Sequence, residues 1–337
     1  MKNKISLIHG DGGKATNNLI DNLFLKYFNN NVLNELNDSA LLNINNKKIA
    51  YTTDSFVISP IFFNGGDIGK LSICGTINDL AVSGAKPMYL SSSFIIEEGF
   101  SIENLEIIVK SMAETCKKAN VQIVAGDTKV VPKGSADGIF INTSGIGFIY
   151  DNVNIKASNA EIGDIIIVNG TLGDHGIEIM CERNNLKFYG NLSSDCAPLN
   201  FLVSEMLDIC PYIHVIRDAT RGGLAAVLNE IAEASNISIE LEENFIPIKE
   251  EVNDACEILG VDPLYLANEG KLCCFVPEKY AYAVLCKMKQ HPLGINASII
   301  GKVLAEDSAK VYMNTFIGGK KIIDMPSEYV LLSNLFA

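Results

Sequence analysis

The sequence is short of what several common functions require. It has no CxxC pair, its nine cysteines are odd in number, and its four histidines stand far apart. A zinc centre or a disulfide framework is therefore not expected, and the thiols, set in apolar patterns such as "KLCCFV", read as reduced and buried. Positive charge is scarce too: 27 Lys and Arg stand against 40 Asp and Glu, a net charge of −13. That balance argues against a nucleic-acid or anionic-membrane partner, which needs a basic face. No apolar run approaches the ~20 residues of a membrane span. The opening "MKNKISLIHGDGG" lacks the apolar core of a signal peptide. A cytoplasmic location is the expectation.

What is present is ordinary globular composition, 48% hydrophobic and 20% charged over 337 residues, enough for about two domains. Strand-like runs at 48–59, 88–96, 121–126 and 138–149 alternate with helical stretches at 67–83 and from Ser101 onward. In the second helix Leu105, Ile108, Val109, Met112 and Cys116 recur at helical spacing. After a boundary near 150–160, two strand–loop–helix units follow, "DIIIVNGTLGDHGIEIMCER" and "IHVIRDATRGGLAAVLNEIAEAS". A strand at 271–276 and a helix near 278–290 complete a second α/β or α+β domain. The Asn-rich 29–46 stretch reads as a polar connection.

The chemistry lies in carboxylates. In "LSICGTINDLAVSGAKP", Asp79 falls on a helical stripe with Ser72, Gly75, Thr76 and Ser83, while Ile73, Ile77 and Leu80 take another face. The bulky side is expected to pack and the small polar side to face a ligand. Asp38, Asp54 and Asp127 lie at strand ends, where side chains gather at one sheet edge. Several carboxylates without His or Cys favour a hard cation, Mg²⁺, bound together with substrate phosphates. Singly, each reads better as a turn or helix cap; the four together read as a metal site. Glycines in "IHGDGGK" and "DATRGGL" can wrap a phosphate or make tight turns, and "NEGK" sets Glu269 before a strand.

Taken in order, "HGDGGK", "TTDSFVISPIFFNGGDIGKLSICGTINDLAVSGAKP", "VAGDTKVVPKGSADGIFINTSGIG", "VNGTLGDHGIEIM", "RDATRGGLAAVLNEIA" and "NEGKL" resemble the HypE family of hydrogenase maturation proteins. That family belongs to the superfamily of aminoimidazole ribonucleotide synthetase and selenophosphate synthetase. The likeness runs from about residue 5 to 325. It implies a PurM-like two-domain α/β (α+β) fold: a Gly-rich flexible segment over 1–37, an N-terminal domain over 38–155 and a C-terminal domain over 156–325. The N-terminal domain would form a homodimer through a shared β-barrel. ATP is implied near Gly10, Gly12, Gly13, Lys70, Asn78, Asp79, Asp127 and Thr128, with Mg²⁺ on Asp38, Asp54, Asp79 and Asp127. Glu269 and Lys129 are the implied candidates for a catalytic base, or for orienting phosphate or metal.

The implied activity is a carbamoyl dehydratase that uses ATP to activate a thiocarboxamide oxygen and leave a cyano group for nickel–iron hydrogenase. A HypF-like carbamoyltransferase and a HypC–HypD-like complex are the implied partners. Members of the family end in a Pro-Arg-Ile-Cys type tail. This sequence leaves the pattern after Met325, and its 326–337 stretch contains no cysteine. A diverged homologue with another acceptor, or a nucleotide-holding scaffold, stays open beside the dehydratase.

Overall fold

The computed structural model describes residues 13–28, 30–44, 47–184, 186, 192–305 and 309–326. Gly10, Gly12 and the 327–337 stretch lie outside them. The chain enters through a helical run, α1 (Lys14–Leu19), a π turn at Ile20–Phe24 and α2 (Leu25–Phe28). The first domain then gives β1 (Ala40–Ile44), β2 (Lys47–Phe56), β3 (Phe62–Phe63), β4 (Gly66–Asp67), α3 (Ile68–Val82), β5 (Ala85–Glu97), α4 (Ile102–Ala119), β6 (Gln122–Val131) and β7 (Ile139–Ile149). Its main sheet runs β1-β2-β7-β5-β6, antiparallel except for the β5–β6 pair. Part of the Asn-rich stretch is thus strand rather than connection: β1 pairs along β2 from Ala40↔Tyr51 to Ile44↔Lys47. That backbone pairing overrides a composition that disfavours strands.

The second domain contains β8 (Ile165–Val168), α5 (Asp174–Arg183), α6 (Asn200–Ile209), β9 (Val215–Asp218), α7 (Gly223–Ser235), β10 (Ser238–Glu242) and α8 (Glu250–Leu259). β11 (Leu272–Val276), α9 (Glu278–Gln290), β12 (Ser298–Leu304), β13 (Val311–Asn314) and β14 (Lys320–Ile323) complete it. Its mixed sheet runs β14-β13-β10-β12-β8-β11-β9. On α7 Leu224, Val227, Leu228 and Ile231, which recur at helical spacing, are buried against that sheet.

Helix α3 joins the two domains. Asp67 starts it: its carboxylate accepts the N–H groups of Gly69 (2.7 Å) and Lys70 (3.1 Å), a cap worth about 0.5–2 kcal/mol. Ile73 and Ile77 pack with Ile108, Met112 and Cys116 of α4, each burial worth ~1.5–3 kcal/mol. Ala81 and Val82, one turn on, belong instead to the core of the second domain beside Leu202, Val203 and Met206. On α4, Ser101 caps Asn104 as its sequence suggests, but Val109 lies outside the buried stripe at 46% exposure.

The predicted ligand face of α3 is only partly one. Ser72 and Thr76 are fully buried and face β7: Thr143 Oγ1 bonds Thr76 Oγ1 (2.5 Å) and the Ser72 carbonyl (2.9 Å). Gly75 owes its size to Phe56, whose ring would lie 2.8 Å from a Cβ there. Helical spacing names a face but not the neighbour that covers it. All nine cysteines are free, eight of them buried. Among the described residues no helix is long and apolar enough to cross a membrane.

Candidate active site

A cleft of about 820 Å³ opens between the domains. Asp38 precedes β1, Asp54 lies on β2, Asp79 on α3 and Asp218 ends β9, so two domains deliver four carboxylates to one place. Ligand oxygens of Asp38, Asp79 and Asp218 lie within 4.8 Å of one another. Thr52 donates to Asp79 Oδ2 at 2.7 Å.

Burial combined with mutual repulsion makes these acids reluctant to ionise. Burial first, then Asp54, Asp218 and Asp38, push Asp79 well above the ordinary carboxylate range. Burial, then Asp38, raises Asp218 to about 7. Asp38 stands at about 6, because burial outweighs the pull of Arg217, whose Nε lies 2.7 Å from Oδ2. Asp54 is raised as well, chiefly by burial. Arg217 also bonds Glu230 Oε2 at 3.2 Å, so one guanidinium serves two acids. Negative charge remains in surplus, and an all-oxygen donor set of this spacing fits a hard divalent cation.

Glu269 lines the same cleft and is pushed well above its usual range by burial and then by Cys196, Asp195 and Asp218. Each residue of "NEGK" has a task. Asn268 is wholly buried, accepting from the Gly173 N–H (2.8 Å) and donating to the Ala219 carbonyl (2.9 Å). Asp195 accepts the N–H groups of Glu269 and Gly270 and the Lys271 ammonium, each at 3.1 Å. Gly270 must be glycine, since a Cβ would lie 2.0 Å from the Asp195 carbonyl. Glu269 is therefore no exposed loop carboxylate: a fixed backbone aims it. His175 also lines the cleft, bonded to Ser194 Oγ at 2.8 Å and lowered to about 4 by burial.

The sequence-derived site divides in the structure. Asp38, Asp54, Asp79 and Glu269 come together. Asp127, Thr128 and Lys129 do not join them within one chain: β6 is a sheet edge, its residues are exposed, and Lys129 pairs with Asp127 at 3.4 Å. Two residues assigned to nucleotide are engaged within the chain. Asn78 is 1% exposed and committed internally, donating to the Ala197 (3.1 Å) and Glu269 (3.3 Å) carbonyls and accepting from the Leu199 N–H (2.8 Å). Lys70 lies outside the cleft lining, its ammonium on the Gly65 carbonyl at 2.7 Å. Gly13 is the buried N-terminal flank of α1.

Asp218 was the residue sequence reasoning missed. It sits in "RDATRGGL", a motif read only for its glycines, although it ends a strand as Asp54 and Asp127 were held to. The glycines themselves make a turn: Gly222 and Gly223 have φ of 76° and 64°, and a Cβ on Gly223 would meet the Leu264 carbonyl at 2.4 Å.

Comparison with known proteins gives the family and the fold. The models for AIR synthase related proteins match at residues 36–149 for the N-terminal domain and 161–314 for the C-terminal domain. Carbamoyl dehydratase HypE of Bradyrhizobium diazoefficiens is 48% identical over 95% of this chain and 93% of that protein. The Escherichia coli K12 protein of that name is 46% identical over 96% and 97%. A HypE–HypF complex aligns with TM-score 0.88 and 50% identity, covering 91% of this chain and 99% of the solved one. HypE in complex with ATP aligns with TM-score 0.82 and 44% identity, covering 98% and 100%. A ThiL structure at 20% identity, with TM-score 0.73, shares the fold. With both domain models matched and relatives this similar along nearly its whole length, the chain belongs to the HypE family of AIR synthase related proteins.

Proposed function

We propose that this protein is an ATP-dependent carbamoyl dehydratase of hydrogenase maturation, acting on a thiocarboxamide. The observation that carries the reading is one cleft lined by four crowded carboxylates from both domains together with a Glu269 whose backbone is fixed. Asp38, Asp79 and Asp218, with Asp54 beside them, would hold Mg²⁺, which supplies charge neutralisation for the ATP phosphates. An amide oxygen leaves poorly until it is phosphorylated. Transfer of the terminal phosphoryl group to that oxygen releases ADP. Breaking the carbon–oxygen bond then expels phosphate, and removal of both nitrogen protons leaves the C≡N group.

Glu269 is suited to take such a proton, because it lines the cleft on a fixed backbone and burial raises the proton affinity of its carboxylate. Lys129 would reach a site only from a second copy of the chain. An exposed apolar face on the first sheet (Tyr89, Ile123, Ile146 and Phe148) and the edge strand β6 suit such a homodimer. A HypF-like protein would supply the carbamoyl group, and a HypC–HypD-like complex would receive the product.

The test is ATP turnover by the full chain with Mg²⁺. Because no cysteine follows Cys286 in the sequence, an S-carbamoylcysteine peptide is supplied as substrate and thiocyanate product is measured. Asp79→Asn should lower turnover and Mg·ATP affinity by more than about 100-fold, given how much charge stabilisation such a cluster supplies. Tight Mg·ATP binding by that variant would refute the metal assignment. Wild-type binding of ATP with no turnover of the peptide would leave a nucleotide-binding module instead.

A further inference from the structure

We infer that Asn78 is a positioning residue: it holds the Glu269 loop of the second domain in register with Asp79 on helix α3 of the first. This rests on the reading of Glu269 as the base. Asn78 and Asp79 are neighbours on α3, so their side chains diverge, Asp79 into the cleft and Asn78 toward the second domain.

Asn78 makes three hydrogen bonds across that boundary. Its amide donates to the carbonyls of Glu269 at 3.3 Å and Ala197 at 3.1 Å, and its oxygen accepts the Leu199 N–H at 2.8 Å. An amide can give two hydrogen bonds and take others, and here both ends are engaged with the second domain.

Segment 194–199 is the intermediate piece. Asp195 holds the N–H of Glu269 at 3.1 Å while Asn78 holds its carbonyl, so the peptide groups on both sides of its Cα are anchored. Ala197 N–H reaches the same carbonyl at 3.4 Å. Gly270 is gripped in turn by Asp195 and by Asn169, whose amide donates to its carbonyl at 3.1 Å. The cleft-facing carboxylate of Glu269 therefore sits on backbone fixed from two domains, one of them through Asn78. The distance between proton acceptor and metal-binding acids is set by this three-bond clamp as well as by apolar packing.

The clamp predicts a distinct kinetic signature. Asn78→Ala should lower kcat for the carbamoyl peptide by about 10- to 100-fold, the scale of a roughly 1 Å misplacement. Kd for Mg·ATP should stay within about threefold, because the acids that hold it remain. Asn78→Ser, which keeps one donor, should recover part of kcat, and it carries the test if the alanine variant does not fold.

A double-mutant cycle with Glu269→Gln separates the possibilities. Acting through Glu269, the Asn78 change should add little to the loss already caused by Glu269→Gln. Multiplicative losses, or a weakening of Mg·ATP binding that matches the loss in kcat, would overturn the inference. So would an Asn78→Ala enzyme with wild-type kcat beside an inactive Glu269→Gln. Full activity of Glu269→Gln itself would instead refute Glu269 as the base, and the positioning role with it. Amide exchange adds a readout independent of turnover: the Glu269 and Gly270 N–H groups should exchange faster in Asn78→Ala, with unchanged exchange in the β12 and β13 strands.

Discussion

Two sets of buried acidic side chains, those that line the cleft and Asp195 behind the Glu269 loop, have opposite characters. On the cleft side Asp38, Asp54, Asp79 and Asp218 crowd one another, and all four are raised above the ordinary range. Behind the loop Asp195 is equally enclosed, yet it lies below that range: burial pushes it up, but Lys271, His175 and the Glu269 N–H more than reverse this. Burial is common to both, so burial does not decide the outcome. What differs is pairing. Asp195 has an ammonium and two backbone donors within 3.1 Å, whereas the cleft acids mostly have each other. A satisfied buried carboxylate builds structure; an unsatisfied cluster stores repulsion that a cation can relieve.

That contrast can be broken experimentally. The largest stability effect is expected at the paired acid: Asp195→Asn should destabilise the fold by about 3 kcal/mol, because it strips the partner from a buried ammonium, read from urea unfolding. Retained stability would mean that Lys271 is served well enough by Asp174, 3.7 Å away.

Next comes pH. The folded-state values of Asp38 and Asp218, about 6 and about 7, exceed the ordinary 3.8. Their favourable contribution is therefore complete below about pH 4 and lost as pH rises through 6 to 7. Without Mg²⁺, unfolding free energy should drop by about 2 kcal/mol between pH 6 and 8. Saturating Mg²⁺ should remove the drop, and Mg²⁺ binding below pH 7 should release protons, measurable by calorimetry in two buffers. A pH-independent Mg²⁺ affinity would contradict the crowding.

The smallest effect sharpens the comparison by its sign. In the absence of Mg²⁺, Asp79→Asn should stabilise the fold by about 1 kcal/mol through lost repulsion, visible as a higher melting temperature, even as it abolishes Mg·ATP binding. A lower melting temperature would place Asp79 with Asp195 as a structural acid.

Local order was the legible part of the sequence. Asp67 announces the start of α3, Ser101 that of α4, and the stripe of α7 gives its buried face, because caps and helical spacing act within a few residues. Asp54 and Asp79 could be picked as site residues for a similar reason. What the sequence concealed depends on distant partners. Nothing in "NEGK" says that Asp195, 74 positions earlier, will grip its backbone, or that Asn78 will reach across from the other domain. Ser72 and Thr76 looked ligand-facing until Thr143 of β7 claimed them. Asp127 had the same strand-end credentials as Asp54, but β6 is an edge, so within one chain it faces outward.

The dual allegiance of α3 has a consequence for traffic through the cleft. Its middle packs in the first domain, its last turn lies in the core of the second, and Asn78 ties it to segment 194–199 and the Glu269 loop. The two walls cannot swing apart like a jaw without tearing a shared apolar core and three hydrogen bonds. Opening of the cleft to a ligand then falls to loops at its rim, and not to a hinge between domains.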